Sequence, residues 1–319
     1  MRVARHAVPV FFLLALLLGM PSTGYAAILV SDDLSTRSGI AYPPTTACVD
    51  TVRREIRLPV GTPSALSART ATGGLEWVLA TGTGVETYSF DGNGMVRNPA
   101  LSFALDSAVG VAADPEGYDL AVLAPAGGVL YAWTGSEYAQ DPSRSVPPIT
   151  GAVAVAYAPA WSTLSLLAAT ELRAWTFDGS AMVPNPHLSV PGLQGARALA
   201  VNPATLDTFV ADGTRGYLYR LSGSGLAEDS GYRLDVAGVA AAALGEGVLV
   251  VSLGDRVRVY LDDGGGWAQL AELTGFCDAA ALAVVPGTMD FLVLDLQQGG
   301  TGDVRCYSFT GADYAENPF

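Results

Sequence analysis

Apolar and polar residues alternate along short segments of this chain, and the segments recur at a nearly constant spacing. The clearest copy is Trp175–Pro186, which contains a short strand, a turn at a glycine and the beginning of a second strand. The interval between successive turn glycines is 41–47 residues. Each glycine lies four residues after an aromatic residue and three before a large apolar one; the six are Gly92, Gly135, Gly179, Gly223, Gly264 and Gly311. A period of this length predicts a repeat architecture.

Each unit is predicted to form four short strands. In the third unit these are Ala152–Ala158, Thr163–Thr170, Leu172–Phe177 and Met182–Val190. Two prolines lie within the fourth run, and because proline has no N–H group we expect that strand at the outer edge of its sheet. The first strands are rich in alanine and glycine, which are poor strand formers, so we expect crowding where they converge on an axis. The recurring aromatic residues are predicted to fill the gaps between adjacent sheets.

Four strands per unit, with small residues innermost and proline outermost, are typical of a β-propeller blade. The pattern resembles the large class of secreted bacterial β-propeller repeat proteins, broadly the NHL and YVTN proteins, over residues 61–319. The resemblance implies an all-β fold, a six-bladed propeller of four-stranded antiparallel blades. It carries over no functional residue, and the Gly-His and Trp-Asp signals of WD40 blades are absent.

The N-terminal region is predicted to contain a signal and a tail. Residues 1–27 begin with two arginines, continue with the apolar run Val8–Leu18 and end at the small residues of Gly24-Tyr25-Ala26, as a cleaved signal peptide does. An uncleaved anchor is the alternative. Residues 28–51 are interpreted as a tail and residues 52–319 as the propeller. Within it, a strand at about 52–60 is expected to join the sixth blade and close the ring, and the six blades follow at about 61–319. We therefore expect a secreted, periplasmic or cell-envelope protein.

Composition limits the partners of the protein. Half of the residues are hydrophobic and 15% are charged, which is too apolar for a disordered chain. Lysine is absent, the net charge is -14, and removal of the two arginines of the signal makes it -16. A chain this acidic repels nucleic acid and anionic lipid surfaces. We expect a monomer that does not insert into membranes after signal cleavage and that binds an unidentified protein or small molecule.

Three cysteines, Cys48, Cys277 and Cys306, match no metal-binding spacing. Secretion permits a disulfide bond, and three pairings are open. Because a bond between the N-terminal segment and the last blade would reinforce ring closure, we predict Cys48–Cys306. The alternative is that Cys277 and Cys306 are buried free thiols.

No catalytic constellation is apparent. His187 is the one histidine outside the signal, which leaves little basis for a Ser-His-Asp or Cys-His arrangement. The leading hypothesis is therefore a non-enzymatic binding or scaffold module without a cofactor. One alternative is a metal-dependent lactonase-like hydrolase, because some six-bladed propellers of the gluconolactonase-like group hold a divalent cation at the axis. The oxygen ligands considered for such a site are Asp106, Asp114, Asn202, Asp235 and Asp278. A structural cell-surface component is another alternative.

Overall fold

The computed structural model describes residues 63–71, 74–91, 94–297 and 302–317, which form an all-β fold of five antiparallel sheets. The first sheet consists of β1 (Pro63–Ala71), β2 (Gly74–Thr81), β3 (Gly84–Phe90), β4 (Met95–Arg97) and the short β5 (Phe103–Ala104), which pairs with β3. The second sheet consists of β6 (Gly110–Ala113), β7 (Leu120–Ala124), β8 (Gly127–Trp133) and β9 (Tyr138–Val146).

The third sheet consists of β10 (Ala152–Ala158), β11 (Thr163–Ala168), β12 (Glu171–Phe177), β13 (Met182–Pro184) and β14 (Val190–Pro191), which pairs with β12. The fourth consists of β15 (Ala198–Val201), β16 (Thr208–Ala211), β17 (Gly216–Ser222) and β18 (Gly225–Glu228). The fifth consists of β19 (Ala241–Leu244), β20 (Val248–Ser252), β21 (Gly254–Asp262), β22 (Trp267–Val284), β23 (Phe291–Leu296), β24 (Gly302–Phe309) and β25 (Tyr314–Asn317). Strands that follow one another in sequence are paired, so antiparallel four-strand units are confirmed.

The predicted fourth strand of the third unit is interrupted. It ends at Pro184 in β13, and a 3-10 helix, Pro186–Leu188, separates β13 from β14. Asn185 caps this helix by accepting a hydrogen bond from the His187 amide. The 3-10 helices Pro99–Leu101 and Ser230–Tyr232 have the same kind of cap. The Asn-Pro pairs of the first and third units thus end the outer strand, because the amide side chain bonds nearby backbone and proline cannot extend the ladder, whereas Asp141-Pro142 of the second unit lies within β9.

The fifth and sixth units share one sheet, which the repeat did not predict. The first part of β22 pairs with β21 and its second part pairs with β23. The fifth unit has Leu270-Ala271 in place of the Asn-Pro pair, and its outer strand continues without interruption through β22. At the crossing, Asp295 Oδ1 accepts hydrogen bonds from the amides of Cys277 and Asp278 at 2.8 and 2.9 Å.

Adjacent sheets pack through the recurring aromatic and large apolar side chains, as predicted. All twelve of these residues belong to, or pack against, the buried clusters between successive units: Tyr88, Met95, Tyr131, Tyr138, Trp175, Met182, Tyr219, Leu226, Tyr260, Trp267, Tyr307 and Tyr314. Tyr88 and Met95 of the first sheet share their cluster with Leu292, Leu294 and Val304 of the last strands. The two ends of the described chain are therefore in direct contact.

The first strands of the units lie side by side. The order of contacts is β1 with β6, β6 with β10, β10 with β15, β15 with β19, β19 with β22, and β22 with β1. At Gly110 an added Cβ would lie 3.1 Å from Leu123 Cβ and 3.2 Å from Val155 Cγ1, so the crowding expected of these strands is present there. No sheet in the described ranges closes on itself by hydrogen bonds. The predicted signal, tail and closing strand lie outside the described residues.

Candidate functional site

The five oxygen ligands considered for an axial cation lie at two opposite ends of the sheets. At one end of each sheet, the second strand of a unit is joined to the third, and the chain leaves the fourth strand for the next unit; we call this end the linker edge. The opposite end, where the first strand is joined to the second and the third to the fourth, is the turn edge. Asp106, Asp235 and Asp278 lie at the linker edge, next to the beginnings of the first strands. Asp114 and Asn202 follow first strands and lie at the turn edge.

Most of these side chains have local roles. Asp114 Oδ1 accepts hydrogen bonds from the amides of Glu116 and Gly117. Asn202 is buried and accepts a bond from the Ala204 amide, whereas Asp235 forms an ion pair with Arg215 at 2.9 Å.

No group of three or more His, Cys, Asp or Glu side chains suited to a metal ion occurs in the part of the chain that the structure describes. The five oxygen ligands therefore do not assemble into one cluster. The geometry gives no support to the lactonase-like alternative.

The predicted Cys48–Cys306 disulfide is wrong with respect to Cys306. The Cys306 thiol is free and buried, and burial raises its pKa to about 12. Cys277, at the crossing within β22, is disulfide-bonded instead. Cys306 lies in the cluster between the last and first sheets, where a thiol packs as a small apolar group. Cys48 lies outside the described residues.

The imidazole of His187 contacts a backbone carbonyl oxygen of the neighbouring unit. His187 is exposed on the 3-10 helix Pro186–Leu188, and its Nδ1 lies 2.9 Å from the Ser224 carbonyl oxygen of the fourth sheet. This contact connects two neighbouring units, which is a structural role.

A cavity of about 210 Å³ opens at the linker edge of the fourth sheet. Its apolar floor is formed by Leu193, Ala196, Val210 and Tyr219, of which the first two belong to the linker from the third sheet. Three polar side chains complete the lining: Gln194, Asp212 and Tyr217. An apolar concavity with a few convergent polar groups is the usual form of a ligand site.

The loop Asp212–Arg215 shapes the polar side of this cavity. Asp212 Oδ1 accepts hydrogen bonds from the amides of Thr214 and Arg215 at 2.6 and 2.7 Å. The Tyr217 hydroxyl donates to Asp212 Oδ2 at 3.3 Å. Burial alone would raise the pKa of Asp212, but the hydrogen bonds from Thr214, Arg215 and Tyr217 outweigh it and lower the pKa. The carboxylate is therefore held ionised at the mouth of the cavity.

Arg197 lies next to the cavity, directly after Ala196. Its amide donates to the Ala211 carbonyl at 2.8 Å. Its guanidinium carbon lies 3.7 Å from the position that a Cβ atom on Gly213 would occupy. Every other arginine in the described ranges has a carboxylate within ion-pair distance, whereas Arg197 has none. Arg197 is also exposed. The cavity thus has one ionised carboxylate and one unpaired guanidinium beside it.

The second sheet has another cavity, of about 240 Å³, with different chemistry. Its lining includes Val109, Leu123, Pro125 and Ile149, and it contains no charged side chain. In strand register, Ala124 takes the place of Asp212 and Val129 takes the place of Tyr217. Ala124 lines the second-sheet cavity but Val129 does not, so the two cavities are not built from the same positions.

The repeat pattern of the sequence did not predict this site. The one sequence feature that distinguishes the fourth unit here is the length of the loop between its second and third strands. It contains four residues, Asp212–Arg215, in the fourth unit and two residues in the first three units. The neighbouring arginine, Arg197, had no sequence property that set it apart, because the lack of an ion-pair partner is a tertiary feature.

No protein-family model matches the chain, and no curated protein matches it in sequence. Solved structures do match in fold. A chain of the mitotic checkpoint complex has a TM-score of 0.53 at 11% identity, with 88% of this chain and 86% of that chain covered. A functionally unknown protein from Desulfotomaculum acetoxidans DSM 771 has a TM-score of 0.53 at 10% identity, with 76% and 85% covered.

The β-propeller domain of Cps50 (Swd1) from Myceliophteria thermophila has a TM-score of 0.52 at 14% identity, with 78% of this chain and 84% of that chain covered. Identities this low show the fold alone. The chain therefore has a β-propeller-like all-β fold. Within the described ranges, no helix is long and apolar enough to cross a membrane.

Proposed function

We propose that this protein is a secreted, non-enzymatic binding module, built as a six-bladed β-propeller, that engages its partner at the linker edge of the fourth blade. The observation that carries the binding role is the cavity at that edge. It combines an apolar floor with Gln194, Asp212 and Tyr217, and its lining contains no histidine, cysteine or serine to act as a nucleophile or base. Such a lining is suited to recognition and not to covalent catalysis.

The six-blade count rests on treating β22 as two strands. Its first part then completes a fifth blade and its second part begins a sixth, which gives six units of four main strands. The contact of β22 with β1, and the shared cluster of Tyr88 with Leu292 and Leu294, support closure by packing of the sixth blade on the first. We retain the strand at about 52–60 as a proposed addition to the sixth blade.

Secretion is part of the proposal and rests on the sequence of residues 1–27. The proposed compartment is the periplasm, the cell envelope or the exterior, where the disulfide bond of Cys277 is stable. The module is proposed to act as a monomer, without a cofactor, on a protein or small-molecule partner.

The test is site-specific photo-crosslinking in the cells that produce the protein. p-Benzoylphenylalanine replaces Gln194, an exposed cavity residue, in one variant and Glu246, an exposed turn-edge residue, in another. After irradiation, the intact mass of the recovered protein reports any covalent adduct, whether small or large. We expect a defined adduct at Gln194 that excess wild-type protein suppresses.

The Glu246 variant is the matched control because it exposes the same probe at the opposite edge. An absence of any adduct at Gln194, or an adduct of equal yield at both positions, would contradict binding at the linker edge.

A further inference from the structure

The fourth-sheet cavity has a charge arrangement that restricts its ligand. Arg197 supplies a guanidinium with no carboxylate partner, and Asp212 supplies an ionised carboxylate at the cavity mouth. The two are not paired with each other, although Arg197 lies over Gly213, the residue next to Asp212. Arginine presents a planar set of donors that matches a carboxylate. An unpaired arginine beside a cavity therefore favours an anionic oxygen ligand.

The size and lining of the cavity restrict the remainder of the ligand. A volume of about 210 Å³ is too small for a nucleotide or a large cofactor and accommodates one side chain of moderate size. The floor, formed by Leu193, Ala196, Val210 and Tyr219, is apolar, and an aliphatic side chain suits it. Asp212 Oδ2 holds one long hydrogen bond, from Tyr217 at 3.3 Å, and thus retains capacity for another donor.

We infer that this cavity binds an α-amino-acid group with an aliphatic side chain. The carboxylate lies on Arg197, the α-nitrogen donates toward Asp212, and the side chain enters the apolar floor. This inference rests on the proposed binding function and names the ligand chemistry of the same site. The group is provided either by a free amino acid or by the C-terminal residue of a peptide.

Both oppositely charged anchors lie on backbone that the fold holds in place. The Arg197 amide is bonded to Ala211, and the Asp212 loop is fixed by the amides of Thr214 and Arg215. Binding therefore requires little ordering of the protein, which limits the entropic cost for a small ligand. The second sheet has Ala124 and Val129 at the register positions of Asp212 and Tyr217, so it lacks this pair of polar groups.

The experiment is a saturation-transfer NMR titration of the mature protein with three probes. L-Leucine has a free amine and a carboxylate, N-acetyl-L-leucine represents a peptide C-terminus, and L-leucinamide lacks the carboxylate. We expect L-leucine, N-acetyl-L-leucine or both to bind, and L-leucinamide to bind at least about tenfold more weakly, because the charged hydrogen bonds to Arg197 are lost. The better of the first two probes identifies the source of the ligand.

Variants test which side chain is responsible. R197A should weaken binding of the preferred probe by about tenfold or more. R173A removes an equal charge from an exposed arginine that is paired with Glu171 in the third sheet, and it should leave binding unchanged. Thermal melts confirm that both variants are folded.

Absence of binding by both carboxylate probes, equal binding of L-leucinamide, or wild-type affinity in R197A would overturn the inference. Crosslinking at Gln194 would still succeed if the module binds a ligand of another kind. Failure of this inference is therefore distinguishable from failure of the proposed function.

Discussion

Replacement of Arg69 by methionine should destabilise the protein strongly, because it breaks a buried ion pair within the first sheet, where that sheet contacts the second. The Arg69 side chain is fully buried, and its Nε lies 2.6 Å from Glu76 Oε2. Its Nη1 donates to the Tyr118 carbonyl at 3.0 Å and to the Tyr138 hydroxyl at 2.9 Å. Without the guanidinium, Glu76 keeps the hydrogen bond from the Ser89 hydroxyl but loses its counter-charge.

Removing one partner of a buried pair costs about 3–5 kcal/mol, since the remaining charge is left without compensation. At about 2–4 °C per kcal/mol for a domain of this size, R69M should lower the melting temperature by roughly 6–20 °C. The double variant R69M/E76Q removes both charges, so we expect it to be more stable than R69M.

Thermal unfolding followed by circular dichroism measures the change. R97M is the matched control, because Arg97 pairs with Glu86 at 3.3 Å and its side chain is 46% exposed. An exposed pair contributes about 0–1 kcal/mol, so R97M should change the melting temperature by at most about 4 °C. Equal effects of R69M and R97M would refute the reasoning, as would a double variant no more stable than R69M.

Three further predictions concern the cysteines, a crowded glycine and a titrating loop. Non-reducing peptide mapping should find Cys277 in a disulfide bond and Cys306 free and unalkylated until the protein unfolds; a linked Cys306 would contradict the structure. G110A should cost about 1–3 kcal/mol in urea unfolding through overpacking, whereas G82A, with open space at its Cβ, should be nearly neutral; equal costs would exclude crowding as the cause. Because the pKa of Asp212 is lowered in the folded state, its ionised carboxylate stabilises the fold above the ordinary aspartate range, and this stabilisation decreases as the pH falls below that range; D212N should therefore lower the melting temperature more at pH 6 than at pH 2.5. A pH-independent difference would contradict this sign.

Much of the fold was predictable because its main determinants repeat in sequence. Tyr131 and Trp175 recur in register at the same distance from a turn glycine, and both pack between sheets as the repeat requires. Gly135 and Gly179 have φ values of +95° and +101°, which explains why glycine recurs at that turn. The joining of two units through β22 was missed, because it is accompanied by hydrogen bonds from the Cys277 and Asp278 amides to Asp295, a contact that the repeat does not specify.

The candidate site was not predictable in the same way. Its polar groups lie where the units differ, and a single sequence gives no rule for interpreting a difference. The ligands considered for an axial cation were chosen by their position near strand ends, which does not say what each side chain bonds. Asn202, for example, bonds the Ala204 amide and the Gly245 carbonyl, and thereby connects two units. Likewise, whether Arg197 has a carboxylate partner depends on contacts between segments that are distant in sequence.

The most direct test of binding at the linker edge is the ratio of photo-crosslinking yields at Gln194 and Glu246, measured in the producing cells with and without excess wild-type protein. Both positions are exposed, so the ratio reports the location of the partner and not accessibility of the probe. We predict a defined adduct at Gln194 that wild-type protein suppresses, and none at Glu246. Equal yields at the two positions, or no adduct at Gln194, would contradict the proposed site.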